Sequence, residues 1–225
     1  MPSMQVHQAV ASRRSIRAFL PEPVPGETIR RVLALAARAP SGGNLQPWHI
    51  DVLAGEALDA LKATMQHQLK NGVEETPAYA VYPPSLPSPW RDRRFQVGEA
   101  MYARLGIPRE DKAARLRWFA NNYAFFGAPM ALFCSVDRRM GPPQWADCGM
   151  YLQTVMLLLR EEGLDSCPQE CWAHYPDTVG RALALPPERM LFTGMSIGWA
   201  DPAHPVNALE TARAPLEETV RFSGL

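Results

Sequence analysis

Apolar residues recur at two spacings along this chain, and the change from one spacing to the other separates its elements. Ile29, Val32, Leu33 and Ala36 repeat at helical spacing and predict a helix over about Gly26 to Ala39, ended by Pro40 and Gly42-Gly43. Leu58, Leu61, Met65 and Leu69 form one stripe of a further helix that stops near Gly72. An opening helix is predicted over Met4 to Arg13, and His49 to Ala54 reads as a strand. Met130 to Val136 is a near-continuous apolar run and reads as a buried strand. Ala146 to Leu159 is apolar almost all round, which predicts a helix buried in the protein or at a subunit interface, closed by Glu161-Glu162-Gly163. A short helix over 177–184 and a core strand over Met190 to Trp199 complete the pattern. This order predicts an α+β fold, with helices around a central sheet.

Between these elements, prolines and charges interrupt the periodicity. Residues 83–92 contain four prolines, which remove donors and block helix, so no regular structure is expected there. Two charged helical stretches follow, about Arg93–Leu105 and Arg109–Phe125. The 83–125 segment reads either as an insertion over a site or as ordinary helical packing. No shift in composition splits the chain and no repeat occurs in it, so a single domain over 1–225 is expected.

Composition narrows the function classes. The 225 residues are 47% apolar and 20% charged, an ordinary globular balance with enough chain for a sizeable core. The formal net charge is zero, so nothing favours nucleic acid or an acidic membrane surface. No stretch approaches the roughly 20 apolar residues of a membrane span. Met1 to Val10 lacks the basic start and apolar run of a signal peptide. Cys134, Cys148, Cys167 and Cys171 lie in or near apolar segments, which fits reduced thiols and a cytoplasmic location better than a disulfide framework.

Two segments carry candidate chemistry. Ser12-Arg13-Arg14-Ser15-Ile16-Arg17 places three guanidinium forks and two hydroxyls within six residues, a set that suits phosphate oxygens. A solvated basic helix end is the plainer alternative. Ala39-Pro40-Ser41-Gly42-Gly43-Asn44-Leu45-Gln46-Pro47-Trp48-His49 offers small residues for close backbone approach, and the amides of Asn44 and Gln46 suit the polar edge of a flat heterocycle. Taken alone, its Ser-Gly-Gly-Asn run is turn chemistry. Together the two segments suggest a phosphorylated, aromatic cofactor.

Other motifs mostly exclude. No G-x-G-x-x-G fingerprint, P-loop or G-x-S-x-G turn occurs, so a nicotinamide cofactor, if used, has no Rossmann domain of its own here. Cys167 and Cys171 lack a second ligand pair at zinc-like spacing, so no metal is expected. The loop Pro168-Gln169-Glu170-Cys171 is a better candidate through a displayed backbone N–H than through its side chains. Arg213 reads alone as a rim cation, and beside the N-terminal cluster as a second phosphate ligand.

In this order the segments resemble the FMN-dependent nitroreductase family. The resemblance rests on Arg13-Arg14-Ser15-Ile16-Arg17, Pro40-Ser41-Gly42-Gly43-Asn44-Leu45-Gln46-Pro47-Trp48, Gly163-Leu164-Asp165-Ser166-Cys167-Pro168-Gln169, the Gly194–Gly198 strand end and Arg213-Ala214-Pro215-Leu216. Arg93-Arg94-Phe95 through Asn122 to Pro129 is similar to one branch with an enlarged helical insertion. The resemblance implies an intertwined homodimer with one FMN at each of two subunit interfaces. It also implies that Arg13, Arg14, Ser15 and Arg17 hold the FMN phosphate, ribityl chain or flavin edge, and that Arg213 adds to the phosphate site. Pro40, Ser41, Asn44 and Gln46 would approach the flavin from the partner subunit, and Pro168, Gln169, Glu170 and Cys171 would cover one flavin face. Cys171 departs from relatives that carry Gly at that place.

The implied activity is reduction of nitroaromatic compounds by NADPH or NADH in a ping-pong cycle, with no catalytic acid or base nominated. Quinones, enones, halogenated aromatics or free flavin are alternative acceptors, and a non-catalytic FMN sensor is the alternative class. Trp90, Phe95, Tyr102, Trp118, Tyr123 and Phe125 are candidates to stack on an aromatic acceptor, though each taken singly fits the core better than the channel. Arg91, Arg93 and Arg94 could meet an anionic one such as a nitrobenzoate.

Overall fold

A computed structural model describes residues 4–224; Met1–Ser3 and Leu225, at the ends of the expected 1–225 domain, lie outside the described residues. Four strands form one antiparallel sheet in the order β1-β2-β4-β3, with β1 His49–Ala54, β2 Met130–Asp137, β3 Asp165–Gln169 and β4 Arg189–Gly198. The α+β architecture expected above is what the chain adopts.

The apolar run of β2 is buried on both faces because a core stands on each side. Met130, Leu132, Cys134 and Val136 alternate onto one face, where they meet α2 (Gly26–Ala36) and α6 (Pro142–Glu161). Ala131 and Phe133 point the other way, toward α3 (Gly55–Lys70), α7 (Pro176–Ala182) and Trp172. Each large side chain fully buried in this way contributes about 1.5–3 kcal/mol. The glycines of β4 let the second core close. A Cβ at Gly194 would lie 2.8 Å from Trp172 Nε1, and one at Gly198 would lie 2.7 Å from Pro129 Cδ. Close packing against Trp172 and Pro129 explains the glycines of that Gly-Met-Ser-Ile-Gly run.

Several boundaries move for identifiable reasons. The opening helix α1 covers Val6–Ser12. The helix α2 ends at Ala36, three residues before the predicted Ala39, because Pro40 disfavours helical backbone in the residue ahead of it. At α6 the start is earlier than predicted: Pro142 and Pro143 occupy its first positions, where no N–H donor is needed. That helix buries Asp147, Cys148, Tyr151, Leu152, Val155, Met156 and Leu159 but exposes Ala146, Gly149, Met150 and Gln153.

Three expectations need correction. The segment 83–92 is not irregular throughout, since α4 (Trp90–Arg104) starts at Trp90, just after Pro89. The predicted helix Arg109–Phe125 is only α5 (Lys112–Ala120), followed by a 3-10 segment, Asn121–Gly127. There Phe125 and Phe126 have φ of 53° and 54°, which no helix accommodates. Burial of both rings, with Phe125 stacked 4.7 Å from Trp172, holds this strained turn. Finally, the loop expected over Pro168–Cys171 starts inside a strand, since β3 runs to Gln169. It carries Pro168 and polar side chains, which an edge strand tolerates.

Candidate functional site

The edge strand β3 gathers the first constellation. Ser15 forms a parallel bridge with Ser166, and the Ile16 N–H donates to the Ser166 carbonyl at 3.1 Å. The arginine segment therefore runs extended along the outer edge of β3, where successive side chains alternate in direction. Arg13, Ser15 and Arg17 share one side and Ile16 is buried on the other. The Arg13 and Arg17 guanidiniums both act on the buried Cys167 thiol, opposing the burial that pushes it up to about 11. Arg14 instead pairs with Glu210 at 2.6 Å. The Arg17 backbone N–H is held by Asn207 Oδ1 at 2.9 Å, and its guanidinium donates to the Ser15 carbonyl at 3.2 Å.

The loop after β3 is fixed from three directions. Gln169 donates through Nε2 to the Asn122 carbonyl at 2.7 Å and accepts from Ser196 Oγ at 2.8 Å. Tyr123 donates its hydroxyl proton to the Cys171 carbonyl at 3.3 Å. Trp172, fully buried, wedges the loop against Phe125 and Phe133. A cavity of about 570 Å³ opens over this loop, with Arg17 and Pro168, Gln169, Glu170 and Cys171 in its wall. The helices α4 and α5 and the segment before them supply the remaining wall, including Tyr82, Arg94, Tyr102, Trp118 and Phe119. Desolvation there pushes the Glu170 carboxyl and the Cys171 thiol above their usual ranges. Cys171 is thus a neutral thiol at physiological pH.

The second constellation stands elsewhere. The Gly42 N–H donates to the Asp147 carboxylate at 3.2 Å and 3.3 Å, and the Gln46 N–H donates to Ser41 Oγ at 3.0 Å. These bonds hold Asn44 and Gln46 at φ of 57° and 49°, left-handed conformations that cost of order 1–3 kcal/mol each. Pro40, Asn44 and Gln46 are exposed, and none of them lines the cavity. Arg213 lies in a separate groove beside Arg93 and Glu210, its guanidinium bonded to Thr211. A single chain thus unites Arg13, Ser15 and Arg17 with Pro168–Cys171, and leaves Arg14, Arg213 and the Pro40–Gln46 loop outside.

A sequence model described as the nitroreductase family matches residues 10–199. The chain belongs to the nitroreductase family. It is similar to a 4-nitrobenzoate reductase of Pseudomonas putida, 36% identical over 215 residues that cover 96% of this chain and 94% of that protein. Among solved structures it resembles the FMN and NADPH-dependent nitroreductase NfnB from sphigopyxis sp. strain HMH, with 49% identity, a TM-score of 0.96, and coverage of 99% of this chain and 100% of that one. It also resembles the FMN-dependent nitroreductase NfnB from Mycobacterium smegmatis, solved in complex with NADPH, with 34% identity, a TM-score of 0.92, and coverage of 96% and 97%.

The donor set of this nitroreductase chain suits FMN. Arg13 has no ion-pair partner among the described residues, and it stands with Ser15 and Arg17 on the edge that leads to the clamped loop. That combination offers charge and a hydroxyl to a phosphate, and a rigid main-chain surface to a ring. Among the described residues no group of three or more His, Cys, Asp or Glu side chains could hold a metal ion, and no helix is long and apolar enough to cross a membrane.

Sequence reasoning placed some of the cavity wall and missed some. Tyr102 and Trp118 line it as expected of acceptor-stacking candidates. Tyr123 and Phe125 belong to the core, while Trp90 and Phe95 are exposed outside the cavity wall. Tyr82, Phe119 and Phe126 also line the cavity; Tyr82 adjoins the proline-rich segment 83–92, and the charged helical pattern around Phe119 does not show which face meets the cavity.

Proposed function

We propose that this nitroreductase-family chain is an FMN-dependent enzyme that uses NADPH or NADH to reduce nitroaromatic compounds. The observation that carries the reading is the shared cavity, in which Arg17 and the clamped Pro168–Cys171 loop face an aromatic wall built by α4 and α5. The similarity to FMN- and NADPH-dependent and 4-nitrobenzoate-reducing relatives supports it. What the FMN supplies when bound is a two-electron relay between NAD(P)H and the nitro group in a ping-pong cycle.

The residues of the chain bind, orient and enclose. Arg13, Ser15 and Arg17 neutralise the phosphate end of the cofactor. The loop fixed by Gln169 and Tyr123 presents main chain to the ring, and tight placement is what brings hydride donor and acceptor atoms into reaction range. The aromatic wall excludes water and stacks on donor and acceptor in turn, so 83–125 acts as the substrate channel of a single domain.

The enzyme acts as a homodimer. Two exposed features support this: the strained Pro40–Gln46 loop, whose Leu45 is 53% exposed, and the Ala146, Gly149, Met150, Gln153 stripe of α6. In a dimer the loop, with Pro40, Ser41, Asn44 and Gln46, completes the cofactor site of the other subunit. Arg14 and Arg213 remain available as phosphate ligands once the dimer forms. Four free thiols fit work in the reducing cytoplasm. Steady-state NADPH oxidation by the FMN-loaded protein, with nitrobenzene varied, tests the function. Parallel double-reciprocal lines are expected; oxidation indifferent to the nitro compound sinks the reading.

A further inference from the structure

Three guanidinium groups leave the start of α4, and their partners differ. Arg91 pairs with Asp92 at 2.9 Å, and Arg93 is bonded to Glu218 of α8 (Leu216–Thr219). Arg94 has no such partner. Its Cζ lies 3.9 Å from the centroid of the Tyr82 ring, and among the described residues no carboxylate stands within ion-pair distance of it. Arg94 and Tyr82 both line the cavity; Arg91 and Arg93 do not. The sequence offered three equivalent cations, and the fold neutralises two and turns the third toward the site.

The stacking geometry decides what that third cation can do. Cation–π contact with Tyr82 consumes none of its donors, and among the described residues no hydrogen bond or ion pair engages its N–H groups. Those groups form a planar fork matched to the two oxygens of a carboxylate. Among the described residues Glu170 is the only carboxylate in the cavity wall, and it belongs to the loop on which the cofactor ring is expected to lie. A flat aromatic acid can rest against the Tyr102, Trp118 and Phe119 side of the cavity with its carboxylate on Arg94, leaving the far end of the ring to face that loop.

We propose that Arg94 is a specificity-determining residue that binds the carboxylate of aromatic nitro acids and so selects them over neutral nitroaromatics. The assignment rests on the reductase reading above for its reaction but not for its binding step. A second source of the anion is the 2′-phosphate of NADPH, which enters the same cavity in the other half of the cycle.

The test uses the FMN-loaded protein and two variants. Arg94→Met keeps the stem over Tyr82 and removes the charge, and Arg94→Lys keeps the charge without the fork. Benzoate and benzamide are titrated into the oxidised enzyme and followed by the visible flavin band. Arg94→Met is expected to weaken benzoate relative to benzamide by about 10–100-fold, the range for a lost hydrogen bond to a charged group, with Arg94→Lys between. In turnover, the ratio of kcat/KM for 4-nitrobenzoate to that for nitrobenzene should fall by about tenfold or more, mostly through KM. An unchanged benzoate-to-benzamide ratio overturns the proposal. So does a fall in the NADPH-to-NADH preference with benzoate affinity intact, which assigns Arg94 to the dinucleotide phosphate. Charge-dependent benzoate binding without reduction of any nitro acid supports the subsite while refuting the reductase reading.

Discussion

The Gly42 backbone N–H donates to the carboxylate of Asp147, a residue 105 positions later in α6 and 5% exposed. This bond ties an outward, left-handed loop to the first turns of the helix that carries the main core. A buried carboxylate is costly unless hydrogen-bonded, so the two features depend on each other. Asp147→Ala should destabilise the protein by about 1–3 kcal/mol and lower its FMN content, because the loop loses its anchor. Urea unfolding and the ratio of flavin to protein absorbance measure both effects. Unchanged FMN content in a folded variant would separate the loop from the cofactor.

The alternation of side chains along the Arg13–Arg17 segment ranks its arginines. Arg13→Ala and Arg17→Ala should each weaken FMN by about 10–100-fold, as expected for removal of a charged donor. Arg14 is engaged with Glu210 at the surface, a pairing whose loss costs at most about 1 kcal/mol, so Arg14→Ala should matter less. Flavin fluorescence titrations of the apo protein give the ranking. Equal losses in all three would mean that Arg14 leaves Glu210 when FMN binds.

A shared site can be tested by complementation. A heterodimer of Arg17→Ala and Asn44→Ala chains has one site with both changes and one with neither, so about half of its sites should retain FMN at full affinity. Differently tagged chains, purified as the mixed dimer and titrated, measure this. If both residues act within one subunit, both sites of the heterodimer are damaged instead.

Glu170 sets a pH dependence. Burial at the cavity raises its folded-state pKa above that of the unfolded chain, so the folded form favours the protonated carboxyl. Stability contributed by this group is therefore lost as pH rises from the unfolded carboxylate range through the raised folded value. Glu170→Gln should raise the melting temperature of the FMN-free protein more at pH 7 than at pH 4. A gain that is equal at both values shows that the carboxyl is not desolvated.

Much of the fold was legible because its core elements are locally consistent. The β2 run, the α2 and α3 stripes and the β4 strand carry their burial in their own sequence. The strand β3 was not legible, since Asp165, Ser166 and Pro168 give no strand signal and only pairing with β4 makes it one. The Phe125–Phe126 turn was hidden for a related reason: its left-handed backbone is held by Trp172, almost 50 residues away in sequence. At the site, the residue types pointed to phosphate and heterocycle, yet they could not show which arginines share a face. They also could not show that the two constellations stand apart within one protomer. That separation is a tertiary fact, set by β3 on one side and Asp147 on the other.

The most direct measurement is anaerobic reduction of the FMN-loaded protein, followed at the visible flavin band. Addition of NADPH or NADH should bleach the band, and a nitroaromatic added afterwards should restore it without oxygen. A flavin that stays bound and coloured with both donors would contradict the reductase reading, leaving a chain that binds FMN without using it.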